Sequence, residues 1–326
     1  MALTVQVVQC RGTPFDIGRQ QARIFLRSAK GMAFAKRRNA PLPAWFDFAS
    51  QERAFTRYCP ALWQEIGGLA EGLSIPMEKA AFHFGNGGWR VPLGGCSATI
   101  TDKAYVRNYD FTVRHYSARF ALVQPQGSYA SIGGAELLTG RLDGMNEHGL
   151  CIGLHLVRRA PRVPGLLAIV LIRMVLDQCA TTAEAVSLMR RTPHAMRYNF
   201  SILDAHGSAA VVEAAPGMVA VRTGPWLACT NHFQSPLMRS FNRNAGHSIG
   251  RLPPLERWAK EGLDASALFM AFNQSTSPAF HHGYLRGAGT LHTLACEPKQ
   301  RKMILGVGGD AAKLRPNPLE IDFAPR

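Results

Sequence analysis

The chain has 326 residues, 47% of them hydrophobic, and 37 lysines and arginines against 22 aspartates and glutamates, a formal net charge of +15. That length suits one large domain or two ordinary ones with a real core, and no run approaches the roughly 20 apolar residues of a membrane span, so no membrane partner is expected. The basic residues are dispersed, densest at Lys36-Arg37-Arg38, Arg158-Arg159 and Arg190-Arg191, and no nucleic-acid motif accompanies them, so they read as solvated surface and no nucleic-acid partner is expected.

Taken in order, the N-terminus shows no basic leader before an apolar core, which predicts a cytoplasmic protein without a secretory signal. A short strand over 5–9 precedes Gly12-Thr13-Pro14-Phe15-Asp16-Ile17-Gly18, and helices are predicted over 20–35, 46–57 and 61–72. Ser74-Ile75-Pro76-Met77-Glu78 looks like a further helix start. Residues 1–95 therefore read as a mostly helical covering segment. From Cys96 the apolar period changes to two, with strands predicted over 96–101, 104–110, 119–124, 129–133, 141–145 and 150–157. Helices follow over 166–178 and from the capping-box spacing Thr181-Thr182-Ala183-Glu184 to 191. Strands return over 198–203, 209–213, 218–222 and 226–230, helices over 236–245, 254–262 and 265–273, and a last hairpin pairs 290–296 with 302–307. This order suggests two sheets packed face to face with helices outside, an α+β fold.

The junction between the two patterns is Gly94-Gly95-Cys96-Ser97. Cys96 starts a hairpin that turns at Asp102-Lys103 and returns Arg107, Asn108 and Asp110 beside it, a guanidinium and a carboxylate within reach of a thiol. Were the Gly95–Cys96 bond cut, Cys96 would carry its own base, an α-amine of pKa about 7.7–8.0, to take the proton of a thiol whose ordinary pKa is about 8.5. Gly95, lacking Cβ, could adopt the strained geometry in which the thiol meets the preceding carbonyl. A glycine turn before a strand explains the same four residues equally well. The other cysteines have no CxxC or Cys/His spacing, so neither zinc nor a disulfide framework is expected; Cys151, Cys179, Cys229 and Cys296 lie in apolar runs and read as core. The histidines, His281-His282 included, show no metal spacing, and no metal or other cofactor is expected. Asn146 and Glu147 read as turn-shaping residues, and Glu213, in an apolar strand, requires a partner.

Further stretches carry a resemblance. Cys96-Ser97, Arg107-Asn108-Tyr109-Asp110-Phe111, Asp143-Gly144-Met145-Asn146-Glu147-His148-Gly149-Leu150, the span 199–213 and Thr230-Asn231-His232-Phe233 occur in that order. The set resembles the N-terminal-nucleophile (Ntn) cysteine hydrolases of the choloylglycine hydrolase and isopenicillin N acyltransferase-like type, an autoproteolytic family. The Gly-x-Pro-x-x-x-Gly of residues 12–18 is similar to its acyltransferase branch. The resemblance implies an αββα four-layer sandwich, self-cleavage between Gly95 and Cys96 into chains 1–95 and 96–326 that stay associated in one structural domain, and a small-molecule amide or acyl donor as substrate. It assigns Cys96 as nucleophile, Arg107 and Asp110 as the groups holding its thiol and α-amine, and Asn231 as donor to the oxyanion. Tyr109 and His155 are candidate pocket residues; His155 falls where the bile-salt branch has an asparagine. No segment matches the second arginine of the bile-salt enzymes, which argues against bile salts as substrate. The expected activity is hydrolysis of, or acyl transfer from, a linear amide through a thioester. A basic binding protein on the same scaffold, for nucleic acid or an acidic partner, is the alternative from another function class.

Overall fold

The computed structural model describes residues 3–37, 40–86, 95–158, 163–242, 245–286, 288–308 and 318–320. Arg38, Gly94 and Arg159, quoted above, lie outside them. Among the described residues no helix is long and apolar enough to cross a membrane.

The N-terminal segment runs β1 (Gln6–Gly12), α1 (Pro14–Leu26), α2 (Ala29–Arg37), α3 (Phe48–Tyr58), α4 (Pro60–Leu73) and α5 (Met77–Ala80), followed by a π-helical turn (Ala81–Asn86). The single helix expected over 20–35 is two. It starts earlier because Thr13 caps it, its hydroxyl accepting the Asp16 N–H at 3.1 Å, with Pro14 fitting the first turn. It breaks at Ser28, whose hydroxyl donates to the Phe25 carbonyl at 2.7 Å. Gly18 and Gly68 let α1 and α4 cross closely: a Cβ on Gly18 would lie 2.0 Å from the Glu65 carbonyl oxygen, and one on Gly68 1.9 Å from that of Phe15. That contact is why the Gly-x-Pro-x-x-x-Gly stretch needs its last glycine.

The remaining strands are β2 (Gly95–Ile100), β3 (Tyr105–Phe111), β4 (Arg119–Pro125), β5 (Ser131–Glu136), β6 (Gly140–Arg141), β7 (Asp143–Asn146), β8 (Cys151–Arg158), β9 (Arg197–Leu203), β10 (Ala209–Ala215), β11 (Met218–Thr223), β12 (Leu227–Cys229), β13 (Gly289–Glu297), β14 (Lys302–Val307) and β15 (Pro318–Glu320). They form a nine-stranded sheet, β1-β4-β5-β7-β8-β9-β10-β11 with β6 on β5, and a six-stranded sheet, β12-β2-β3-β13-β14-β15. Helices α6 (Ala168–Gln178) and α7 (Thr182–Arg191) cover the first sheet, and α8 (Gly246–Lys260) and α9 (Ala265–Asn273) cover the second. Between the sheets lies an apolar layer that includes Ala98, Ile100, Phe120, Met145, Leu203 and Leu294. The molecule is thus the expected αββα sandwich.

Two expectations are corrected. Residues 1–95 do more than cover: β1 hydrogen-bonds in parallel to β4, Gln6 opposite Arg119 through Gly12 opposite Pro125, as an edge strand of the large sheet. The helix expected over 236–245 is a loop with a 3₁₀ turn at Arg239–Phe241, and the one expected over 254–262 is α8, which starts earlier, at Gly246, and runs through Pro253 and Pro254. Asn146 shapes its turn as expected, its Oδ1 accepting the N–H groups of His148 and Leu150. Glu213 has its partner in Arg222 Nε at 2.9 Å.

Candidate active site

β2 and β3 pair antiparallel with Gly95 opposite Asp110, Cys96 opposite Tyr109 and Ala98 opposite Arg107. Residues facing each other share a sheet face, so Cys96, Tyr109 and Arg107 point between the two sheets, whereas Gly95 and Asp110 face α8. The guanidinium and the carboxylate therefore approach the Gly95–Cys96 peptide from opposite sides, a consequence of their odd spacing in one strand.

On the inner side the Arg107 Nη2 donates to Cys96 Sγ at 3.4 Å and to the Leu154 carbonyl at 2.6 Å, and Nη1 pairs with the Asp143 carboxylate. The guanidinium also stacks over the Tyr109 ring, 5.2 Å from its centroid. Room for it comes from Gly153 in β8, where a Cβ would lie 2.6 Å from Arg107 Cδ and 2.3 Å from the Tyr105 hydroxyl. Cys96 is 3% exposed. Burial pushes its thiol above the ordinary cysteine range; the positive charges of Arg107 and Arg251 offset part of that, and Asp110 adds to it. His155 also points inward, its Nε2 2.8 Å from Ser201 Oγ. Burial, with Arg107 and Arg251 nearby, holds it well below the usual histidine range, so its ring is neutral at physiological pH.

On the outer side Asp110 Oδ1 accepts the Thr290 hydroxyl at 2.7 Å, and Oδ2 would lie 3.2 Å from a Cβ on Gly95. Burial raises Asp110 to about 6, against the lowering effects of Arg251, Thr290 and Arg107. Asn231 stands at the end of β12, held there by Asn199, which donates to the Thr230 and His232 carbonyls, and by Glu213, which accepts the N–H groups of Gln234 and Ser235. Its Oδ1 accepts the Cys96 N–H at 2.7 Å and Arg251 Nη2 at 2.7 Å, and its Nδ2 donates to the Leu156 carbonyl at 2.9 Å. Two donors at Oδ1 fix the orientation of the amide. The Cys96 nitrogen thus rests on Asn231 in the uncut chain; the sequence reading gave Asp110 to the α-amine that cleavage would free.

Arg251 is the residue that reading missed. From α8 it donates to the Cys96 carbonyl at 3.1 Å, to Ser97 Oγ and to Asn231 Oδ1, and it stands 3.8 Å from Asp110 Oδ2. The site therefore has a second arginine beside Arg107. Cys96, Arg107, Asp110, Asn231, Tyr109 and His155 all converge on the Gly95–Cys96 bond. Chemically, the arrangement offers a thiol beside a fixed cation, a carboxylate behind the same peptide, and an oriented side-chain amide.

No curated protein sequence matches the chain. Among solved structures it is similar to penicillin V acylase from Agrobacterium tumefaciens, with 16% identity, 69% of this chain and 84% of that one covered, and a TM-score of 0.40. It is also similar to a mutant of conjugated bile acid hydrolase from Clostridium perfringens (12% identity, 72% and 94% covered, TM-score 0.46) and to the Caenorhabditis elegans ortholog of N-acylethanolamine-hydrolyzing acid amidase (15% identity, 63% and 93% covered, TM-score 0.40). The model of the acyl-coenzyme A:6-aminopenicillanic acid acyl-transferase family matches residues 98–312, a span that starts just after Cys96 and takes in Arg107, Asp110, Asn231 and Arg251. The match covers more than half of the chain, which belongs to that family.

Proposed function

We propose that the chain is a self-processing cysteine Ntn enzyme that hydrolyses a linear, non-peptide amide or transfers its acyl group, through a thioester at Cys96. The observation that carries this reading is the contact of Arg107 Nη2 with Cys96 Sγ at 3.4 Å, on the first turn-free residue of a strand that begins at Gly95. Burial opposes the thiolate, and the fixed guanidinium beside the sulfur is the group that favours it. In the first event Sγ attacks the Gly95 carbonyl, the bond from that carbonyl carbon to the Cys96 nitrogen breaks with the nitrogen taking the thiol proton, and water hydrolyses the resulting thioester. This leaves chains 1–95 and 96–326, with an α-amine at Cys96. In turnover that amine takes the thiol proton, Sγ attacks the substrate carbonyl, the leaving amine departs protonated, and water or an acceptor amine releases the acyl group. Asn231 has an Nδ2 hydrogen beyond the one given to Leu156, and it is this donor that would meet the oxyanion; losing one such donor costs on the order of 10²–10³ in rate.

Intact mass of freshly purified protein tests the reading. The expected result is two chains of 1–95 and 96–326, with Cys96→Ala uncut and Cys96→Ser cut slowly. An uncut wild-type chain that nevertheless hydrolyses a panel of acyl amides would overturn the self-processing mechanism. Cleaved protein with no activity on amides or thioesters would overturn the assigned chemistry.

A further inference from the structure

Behind Arg107, on the side away from the thiol, three buried side chains continue in line. Asp143 Oδ2 takes both Arg107 Nη1 and His292 Nε2, the latter at 2.8 Å, and Asp143 Oδ1 accepts the Gly134 N–H at 3.3 Å. His292 Nδ1 is 2.9 Å from the Tyr116 hydroxyl. Its ring is stacked at 26° on Tyr109 and at 29° on Tyr116, and Phe120 meets it edge-on. Arg107, Asp143 and His292 are fully buried. The charges of His292 and Arg107 outweigh the upward effect of burial on Asp143 and hold it at about 2, so it is a carboxylate and can only accept. The hydrogen between it and His292 therefore sits on Nε2. Nδ1 accepts from the Tyr116 hydroxyl in a neutral ring and donates to it in a charged one, so Tyr116 holds the ring's orientation in either state.

The strand itself is adapted to this arrangement. The β3–β13 register shifts between Thr290 and His292, so that Thr290 lies opposite Asp110 and His292 lies opposite Tyr109. In an unbroken strand these two residues, two apart, would share a face. The bulge sends Thr290 outward to Asp110 and His292 inward to Asp143, and bulges beside active sites characteristically re-aim a side chain in this way. One irregularity thus serves both sides of the Gly95–Cys96 bond.

We propose that Asp143, His292 and Tyr116 are positioning residues that brace the guanidinium of Arg107 against Cys96 Sγ. The inference rests on the reading of Cys96 as nucleophile. Without the brace Arg107 keeps only the Leu154 carbonyl as a strong acceptor, and its contact with sulfur loosens. Cys96 is faced from β3 by Arg107, Tyr109 and Asp110, from α8 by Arg251, from β8 by His155, from β9 by Tyr198 and from β12 by Cys229. The variants below change none of these, so a shift in thiol reactivity reports on the brace.

The experiment is the pH profile of Cys96 alkylation by iodoacetamide in matured protein, read by peptide mass, for wild type, Tyr116→Phe, His292→Leu and His292→Gln, with a thermal melt for each. Tyr116→Phe and His292→Leu are expected to raise the midpoint by about half a unit to one unit, making alkylation below the midpoint about three- to tenfold slower. His292→Gln, whose amide N–H can stand where Nε2 stood, should recover part of that loss. Tyr116→Phe removes a single oxygen and carries the test if His292→Leu does not fold. Midpoints equal to wild type in the variants, with or without a lowered melt, would overturn the inference and leave these residues as packing. A wild-type protein that is neither cut nor alkylated at Cys96 would instead overturn the nucleophile reading on which it rests.

Discussion

Asp110 is the buried charge of the uncut site that lacks a close ionic partner: Arg251 Nη1 stands 3.8 Å away and Thr290 supplies a neutral hydroxyl. Burial raises it from 3.8 to about 6, so the folded, uncut chain holds a proton there that the unfolded chain has released. A folded pKa above the unfolded one gives stability that is present below pH about 4 and is lost as pH rises through about 6. The difference corresponds to at most about 3 kcal/mol. Cleavage would place an α-ammonium beside this carboxylate and remove the penalty. Urea midpoints of Cys96→Ala and of Cys96→Ala with Asp110→Asn should therefore diverge above pH 6, the double variant being the more stable, and converge at pH 4. Parallel curves across that range would show that Asp110 is not the strained group. At this scale the sequence shows Cys96, Arg107 and Asp110 because one short hairpin carries all three. It hides Arg251, 155 residues from Cys96, and it hides the partnership of Asp143 with Arg107, because a contact between two different sheets leaves no local period to read.

Strand β8 shows what an element contributes beyond its residues. Its Leu154 carbonyl receives Arg107, its Leu156 carbonyl receives Asn231, and His155 between them reaches the Cys96 backbone. Gly153 is the position that admits Arg107, since a methyl there would meet Arg107 Nε at 2.8 Å and the Tyr105 hydroxyl at 2.3 Å. Both are fully buried, so neither can swing into solvent. Gly153→Ala is expected to cost about 1–3 kcal/mol by overpacking and to slow self-cleavage at least as much as Tyr116→Phe slows alkylation. The measurements are a melt and a processing time course. Gly153→Ala that is cut at the wild-type rate would show that the guanidinium position does not matter to the thiol. Strands such as β8 are legible in the sequence because period-two patterning and glycine turns bound them. Helix α8 is not, because Pro253 and Pro254 read as a start and break its pattern, although the helix continues through them. Starting the helix at Pro254 left its first turns, with Arg251 in them, outside any predicted element, which is what concealed Arg251.

At the scale of the whole molecule, chain 1–95 after cleavage would be held by more than packed surface. It supplies β1 to the large sheet, and its Glu65 enters the other chain's interior. There Glu65 pairs with Arg173 of α6, Oε2 to Nη2 at 2.7 Å and Oε1 to Nη1 at 3.2 Å, and also accepts Gln21 Nε2 at 2.6 Å. Arg173 is further held by Asp177 at 2.8 Å. The helix-to-strand change at residue 95 suggested a covering segment from the sequence, but a parallel edge strand and a buried ion pair join residues 108 or more positions apart, and nothing local announces them. Breaking a buried pair from one side leaves a charge without its partner, at a cost of about 3–5 kcal/mol, toward the lower end here because Asp177 remains. By contrast Arg19 and Glu71, 3.2 Å apart, have side chains 53% and 55% exposed, and an exposed pair contributes about 1 kcal/mol or less. In matured protein Glu65→Ala should lower the urea midpoint markedly and release chain 1–95 on a sizing column at urea concentrations where wild type still elutes as one particle, while Glu71→Ala behaves as wild type. If the two variants shift the midpoint equally, the association of the chains rests on strand β1 and the apolar interface rather than on Glu65.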